Sequence, residues 1–193
     1  IKLYGKTVSS KKIFAGPKQL REQEVAHVPE DRQRMGLVTE FNASENLIFG
    51  YHHQEPFSKS SVMMGKNIFN HSKKVMKDYD VRPQSPFLLT SNFSGGNQQK
   101  IILSRELHKD PKVLLVGQPT RGVDIGAIEF IHQRIIDMRD KGVAVLLVSV
   151  ELDEILSLAD RIVVMFDGKL VGERINENVT DREIGLLMAG ITN

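Results

Sequence analysis

Phe93-Ser94-Gly95-Gly96-Asn97-Gln98-Gln99-Lys100, running into a helical pattern through about Leu107, is the stretch that decides the fold. Two adjacent glycines let a backbone approach another group closely. The helix behind them turns unpaired N–H groups and its positive dipole end forward, and Ser94 adds a hydroxyl. A polyphosphate oxygen suits that arrangement. A plain helix N-cap, serine followed by glycines, suits it as well, and the octapeptide alone leaves both readings open.

Downstream, in Lys112-Val113-Leu114-Leu115-Val116, the four residues after the lysine are a continuously apolar run, the pattern of a buried parallel strand. Ile128, Ile131, Ile135 and Met138 recur at helical spacing, with Asp124 as N-cap and Gly142 just past the end. Residues 143–149 form a second apolar strand, so strand, helix and strand make a βαβ unit, right-handed by default. Arg161–Phe166, an Asp167-Gly168 turn and residues 169–173 predict a hairpin, and Asp181–Met188 a last helix.

Upstream, residues 1–15 read as a hairpin turning near Gly5-Lys6-Thr7, and Pro17 opens a short helix over 18–22. Val25–Val28 is a strand ending at Pro29. Between Asp31 and Phe93 apolar strands disappear, and helices are expected over 43–49 and about 62–79. The fold class is therefore α/β with a mostly parallel sheet. Its core is expected in residues 1–30 and 110–193, with a helical insertion over about 31–109 that carries the octapeptide.

The 193 residues suffice for one α/β domain. A net charge of +2 gives no reason to expect nucleic acid as a partner. Without cysteine there is no disulfide framework and no thiolate metal site. No apolar run approaches the roughly 18 residues of a membrane span. The sequence opens at Ile1 inside a strand pattern, which leads us to expect an upstream segment.

The octapeptide resembles the signature motif of ATP-binding-cassette (ABC) ATPases, in the Asn-Gln-Gln-Lys form of import ATPases for ribose, galactose and nucleosides. The order of the remaining segments resembles that family too. Val113 to Val116 is similar to the Walker B strand, and Pro119-Thr120-Arg121-Gly122-Val123-Asp124 to the D-loop. Val148-Ser149-Val150-Glu151 is similar to the switch region, and the stretch from Val28 to Leu37 to the Q-loop region of a second cassette. The resemblance covers nearly all of residues 1–190. It implies a P-loop NTPase-like fold and the C-terminal cassette of a sugar or nucleoside importer. ATP and Mg²⁺ would act in the complete transporter. The implied partners are an N-terminal cassette of the same polypeptide, transmembrane permease subunits and, indirectly, a solute-binding protein. The implied location is the cytoplasmic face of the plasma membrane.

Several positions depart from that pattern. No complete Gly-x-x-x-x-Gly-Lys-Ser/Thr is present. Gly5-Lys6-Thr7 lacks an upstream glycine and a following long helix, so the phosphate loop is expected before Ile1. The Walker B aspartate position reads Gly117, which has no ligand atom, so no metal-binding residue is assigned. The glutamate position reads Gln118, and losing a general base costs on the order of 10²–10⁴ in rate. The switch histidine aligns with Val150 and the Q-loop glutamine with Glu30.

By resemblance, Gln118 and Val150 are degenerate catalytic positions, and this chain's own site should hydrolyse ATP poorly or not at all. Ser94, Gly95, Gly96, Asn97 and Gln98 remain able to complete the opposite site, with Asp124 crossing beside them. The chain alone is expected to be inactive, with at best weak nucleotide binding. A scaffold cassette that binds the permease without nucleotide is the alternative. An ABC ATPase of DNA repair would want a coiled-coil insertion or a basic face, and neither is visible. Gln118 to Gly122, with Ala127 to His132 following, looks more like the nucleoside branch than the ribose branch.

Other features have plainer readings. His52-His53 reads as a solvated loop, since no third ligand has useful spacing. Arg32 and Arg34 suit either acidic groups of a membrane partner or an exposed loop. Met63, Met64 and Met76 are expected to pack on the insertion helix. Phe41, Leu47 and Phe49 are candidates for a permease contact or for the core.

Overall fold

The computed structural model describes residues 2–3, 5–7 and 16–191. Strands β1 (Lys2–Leu3) and β2 (Lys6–Thr7) pair antiparallel, with Leu3 opposite Lys6. Lys6 and Thr7 thus lie on the return strand, not in the turn, where Gly5 takes a φ of 75°. The rest of the expected hairpin (Ile1, Tyr4 and residues 8–15) lies outside the described residues.

Helix α1 (Pro17–Glu22) starts on its proline, one residue before the expected start, and leads into β3 (Val25–Val28). A π-helical turn, Arg32–Gly36, follows, capped by the Asp31 carboxylate, which accepts the Arg34 N–H at 3.0 Å. Helix α2 (Ala43–Ile48) carries a capping box. Asn42 Oδ1 accepts the Glu45 N–H at 3.0 Å, and Glu45 Oε2 accepts the Asn42 N–H at 2.8 Å.

The helix expected over 62–79 needs correction. Val62 and Met63 form strand β5 (Val62–Met63), paired antiparallel with β4 (Ser58–Lys59), and helix α3 spans Gly65–Asp78. Ser60 and Ser61, at φ 49° and 65°, reverse the chain between the two strands. Of the three methionines only Met76 is buried, while Met63 and Met64 are exposed.

A 3₁₀ turn, Thr90–Asn92, precedes α4 (Gly95–Leu107), then β6 (Val113–Gly117), α5 (Ile125–Asp140) and β7 (Ala144–Val148). Strands β3, β6 and β7 form one parallel sheet in that order, with Val28 beside Val116 and Gly117 beside Val148. The expected βαβ unit is β6–α5–β7. Residues after β7 form α6 (Leu152–Leu158), the hairpin β8 (Arg161–Phe166) and β9 (Lys169–Ile175), and α7 (Asp181–Met188). Asp167 and Gly168 make the hairpin turn with φ of 47° and 71°, both positive as a tight two-residue turn requires.

One buried cluster joins the sheet to the helices before it: Ala26, Val28, Leu114 and Val116 pack with Leu47, Val75, Met76, Ile101, Ile102 and Leu107. Helix α4 runs through its middle and is enclosed over most of its circumference. That enclosure buries charge. Glu106 is fully buried, and its Oε1 accepts from Arg105 Nε at 2.8 Å and Arg21 Nη2 at 3.3 Å. Its Oε2 lies 3.4 Å from the His27 amide donor. Such a carboxylate is tolerable only because every oxygen is partnered.

Among the described residues strand β7 is one of the two edges of this sheet, and its Leu146 and Val148 stand exposed at 59% each. On the terminal hairpin, Ile162 and Val164 are buried against Ile184 and Leu187, whereas Val163 and Met165 face outward. Among the described residues no helix is long and apolar enough to cross a membrane.

Candidate functional site

Ser94 is the N-cap of α4. Its Oγ accepts the Asn97 N–H at 3.4 Å and Asn97 Nδ2–H at 2.9 Å. Both contacts use oxygen lone pairs, so the hydroxyl proton stays free on an exposed side chain. Asn97 is committed within the chain, since its Oδ1 accepts the Arg82 amide at 2.7 Å. Arg82 also hydrogen-bonds Asp80, holding that carboxyl below the ordinary carboxylate range, and Lys100 Nζ reaches the Asp80 carbonyl at 3.0 Å. The loop at 80–82 thus braces the first turns of α4.

Gln98 is engaged within the chain. It is 3% exposed, its Nε2 donates to the Thr90 carbonyl at 3.1 Å, and its Oε1 accepts from Gln33 Nε2 at 3.3 Å. One turn inside α4, it is covered by the 3₁₀ turn and by Gln33, and its amide is spent on the fold.

Both glycines are accounted for by contacts inside the chain. A Cβ on Gly95 would come 2.6 Å from Arg32 Nη2 and 2.8 Å from the Gly122 carbonyl oxygen. One on Gly96 would meet Asp124 Oδ2 at 2.7 Å and Ala127 Cβ at 2.8 Å. The start of α4 therefore abuts the start of α5. Asp124 caps α5, its Oδ1 accepting the Ala127 N–H at 2.9 Å, and stays exposed. Ser94 and Asp124 thus stand at two neighbouring helix starts.

A second group gathers at the C-terminal ends of the parallel strands, where open α/β sheets bind ligands. Gly117 ends β6, and a Cβ there would lie 3.2 Å from the Glu30 amide nitrogen, so glycine lets the segment after β3 come close. Gln118 is held at φ 46°, an uncommon conformation for a residue with a side chain. Its N–H donates to the Val148 carbonyl at 2.8 Å, and its Oε1 accepts the Val150 N–H at 3.5 Å. Gln118 therefore ties the end of β6 to the segment after β7. Glu30 Oε1 accepts from Arg121 Nη1 at 2.7 Å, with both side chains open to solvent. The Val150 side chain is 65% exposed and offers nothing polar.

This corner does not fit Mg²⁺. Gly117 has no ligand atom, Gln118 Oε1 is turned to the Val150 amide, and Glu30 is paired with Arg121. Among the described residues no three His, Asp or Glu side chains gather as a metal site, and His52 and His53 only meet edge to face.

Arg32 was not legible as a site residue. Its Nη1 donates to the Arg121 carbonyl at 2.6 Å and its Nη2 to the Gly122 carbonyl at 2.9 Å. Arg32 is thus engaged by backbone carbonyls within the chain, whereas Arg34 stays exposed. Leu47 is core, 2% exposed, while Phe41 and Phe49 stay partly exposed with rings edge to face at 6.3 Å.

No family model matches the sequence. Over 190 residues it is 45% identical to the nucleoside import ATP-binding protein NupA of Lactococcus lactis subsp. cremoris (strain MG1363), covering 98% of this chain and 37% of that protein. It is 41% identical over 176 residues to the guanosine import ATP-binding protein NupO of Bacillus subtilis (strain 168), covering 91% and 34%. The chain thus spans about a third of the length of these relatives. Among solved structures, a dimeric ATP-binding cassette in a post-hydrolysis state with ADP and Pi superposes with a TM-score of 0.64 at 23% identity, covering 83% of this chain and 66% of that one. The chain thus has the fold of an ATP-binding cassette, and its sequence is similar to about a third of the length of nucleoside- and sugar-import ATP-binding proteins.

Proposed function

We propose that this chain is the second, C-terminal cassette of an import ATPase, and that its catalytic contribution is made to an ATP held mainly by another cassette. The observation that carries this reading is Ser94: an exposed hydroxyl with its proton unclaimed at the start of a 13-residue helix, beside the exposed Asp124. In this reading Ser94 donates to a phosphate oxygen, and the first-turn amides and helix dipole add to it. Gly95 and Gly96 act indirectly, by letting α4 and α5 bring Ser94 and Asp124 to one surface. Bound ATP would supply the bond that is cleaved; the Ser94 hydroxyl and the first-turn amides would orient its terminal oxygens by hydrogen bonds.

The corner formed by Glu30, Gly117, Gln118 and Val150 is, in this proposal, a degenerate site without hydrolytic competence. The neutral amide of Gln118 cannot take a proton from water as a carboxylate does. The 193 residues hold no complete phosphate loop, and in this proposal that loop belongs to a part of the polypeptide outside them. We also propose the division into a sheet core (1–30 and 110–193) and a helical subdomain (about 31–109).

The partners in this reading are an N-terminal cassette of the same polypeptide, permease subunits in the membrane and a solute-binding protein. The site of action is the cytoplasmic face of that membrane. Phe41 and Phe49 are the permease-facing residues. A nucleoside is the proposed class of solute, supported by the names of the two relatives above.

The scaffold reading has one observation in its favour: in-chain contacts already explain both glycines and Gln98. Ser94→Asp in the full-length protein with its membrane subunits separates the two. Aspartate is as good an N-cap as serine, so the helix is kept, but it sets a carboxylate against phosphate. The proposal expects ATP turnover to fall on the order of 10²-fold with unchanged melting temperature. Unchanged turnover would favour the scaffold.

A further inference from the structure

We infer that Arg32 is a positioning residue that locks the loop at Arg121-Gly122 to the start of α4, so that Ser94 and Asp124 move as one unit. The inference rests on the reading just proposed for those two residues, but the lock itself is a matter of geometry. The guanidinium spans two consecutive carbonyls, Arg121 at 2.6 Å and Gly122 at 2.9 Å, which a planar fork matches and a single ammonium does not. These acceptors lie 89 and 90 residues along the chain from Arg32.

The same Nη2 also meets α4. The missing Cβ of Gly95 is what leaves room for Nη2, since a methyl there would lie 2.6 Å from it. Gly122, at φ 64°, directs its carbonyl toward both groups: its oxygen accepts from Nη2 and lies 2.8 Å from the same Cβ position. Arg32, Gly95 and Gly122 therefore form one three-way contact.

Neighbouring contacts follow the same course. Arg121 is held a second time by Glu30 at 2.7 Å, and Gln33 reaches Gln98 inside α4 at 3.3 Å. The short segment from Glu30 to Gln33 thus grips both halves of the candidate site.

Backbone hydrogen exchange and ATP turnover, both on the full-length protein with its membrane subunits, test the inference. In Arg32→Ala, exchange should rise about tenfold at 94–98 and 121–127 together, as expected for losing hydrogen bonds to a charged group, while the later turns of α4 stay protected. Arg32→Lys should recover less than half of the protection. Gly95→Ala and Arg32→Ala should be non-additive in turnover, because the guanidinium is one of the two groups the new methyl strikes. Unchanged exchange at both segments, or loosening at only one, overturns the inference. If Ser94→Asp leaves turnover normal while Arg32→Ala loosens both segments, the proposed function falls and the lock stands.

Discussion

Gly96 and Asp124 touch through a hydrogen atom: a Cβ on the glycine would sit 2.7 Å from the Asp124 carboxylate oxygen Oδ2 and 2.8 Å from Ala127 Cβ. Gly96→Ala should therefore destabilise the protein by about 1–3 kcal/mol, the usual cost of overpacking, despite alanine's better helix propensity. Urea denaturation measures it. Asp124→Ala in the same protein removes only one of the two obstacles, so recovery should be partial.

Glu106 makes a sharper prediction. Glu106→Ala strands Arg105, whose side chain is only 2% exposed, without its counter-charge. A loss of about 3–5 kcal/mol is expected. Glu106→Gln keeps an acceptor for Arg105 and should cost less than Glu106→Ala. Equal losses in chemical denaturation would show that the ion pair is not what the core needs.

Stability should depend on pH through two half-buried histidines. Partial burial pushes His71 down from 6.5 to about 4, with the nearby His108 and Lys109 adding to the effect, and partial burial lowers His108 as well. The folded state thus binds fewer protons than the unfolded chain. This contribution is intact above pH 6.5 and is lost as pH falls from there toward about 4. His71→Gln should flatten the decline in melting temperature across that window; an unaltered slope would contradict the assignment.

The degenerate corner can be tested in a background where the opposite site is silenced. With Ser94→Asp present, Gln118→Glu restores a carboxylate but supplies no metal ligand at Gly117. ATP turnover should stay at the silenced level. Recovery of turnover would mean that the corner lacks only its base.

What the sequence made legible follows its periodicities and caps. Asp124 and Ser94 announce helix starts, Asp167-Gly168 a tight turn, and the apolar runs around residues 113–117 and 144–148 paired parallel strands. The β4–β5 hairpin was hidden because two serines, not glycine or asparagine, occupy its left-handed turn. Arg32 was hidden for another reason. Its partners are backbone carbonyls far along the chain, and a carbonyl leaves no mark on residue identity. The burial of Gln98 was hidden because it depends on the preceding turn, which closes over its amide.

The central claim is that the start of α4 faces a nucleotide bound mainly by another cassette. A structure of the assembled transporter, trapped with a non-hydrolysable ATP analogue, measures it directly. The account predicts a terminal phosphate oxygen within hydrogen-bond distance, about 3 Å, of Ser94 Oγ. A closed assembly whose terminal phosphate lies well beyond the reach of Ser94 and the Gly95 amide would contradict it.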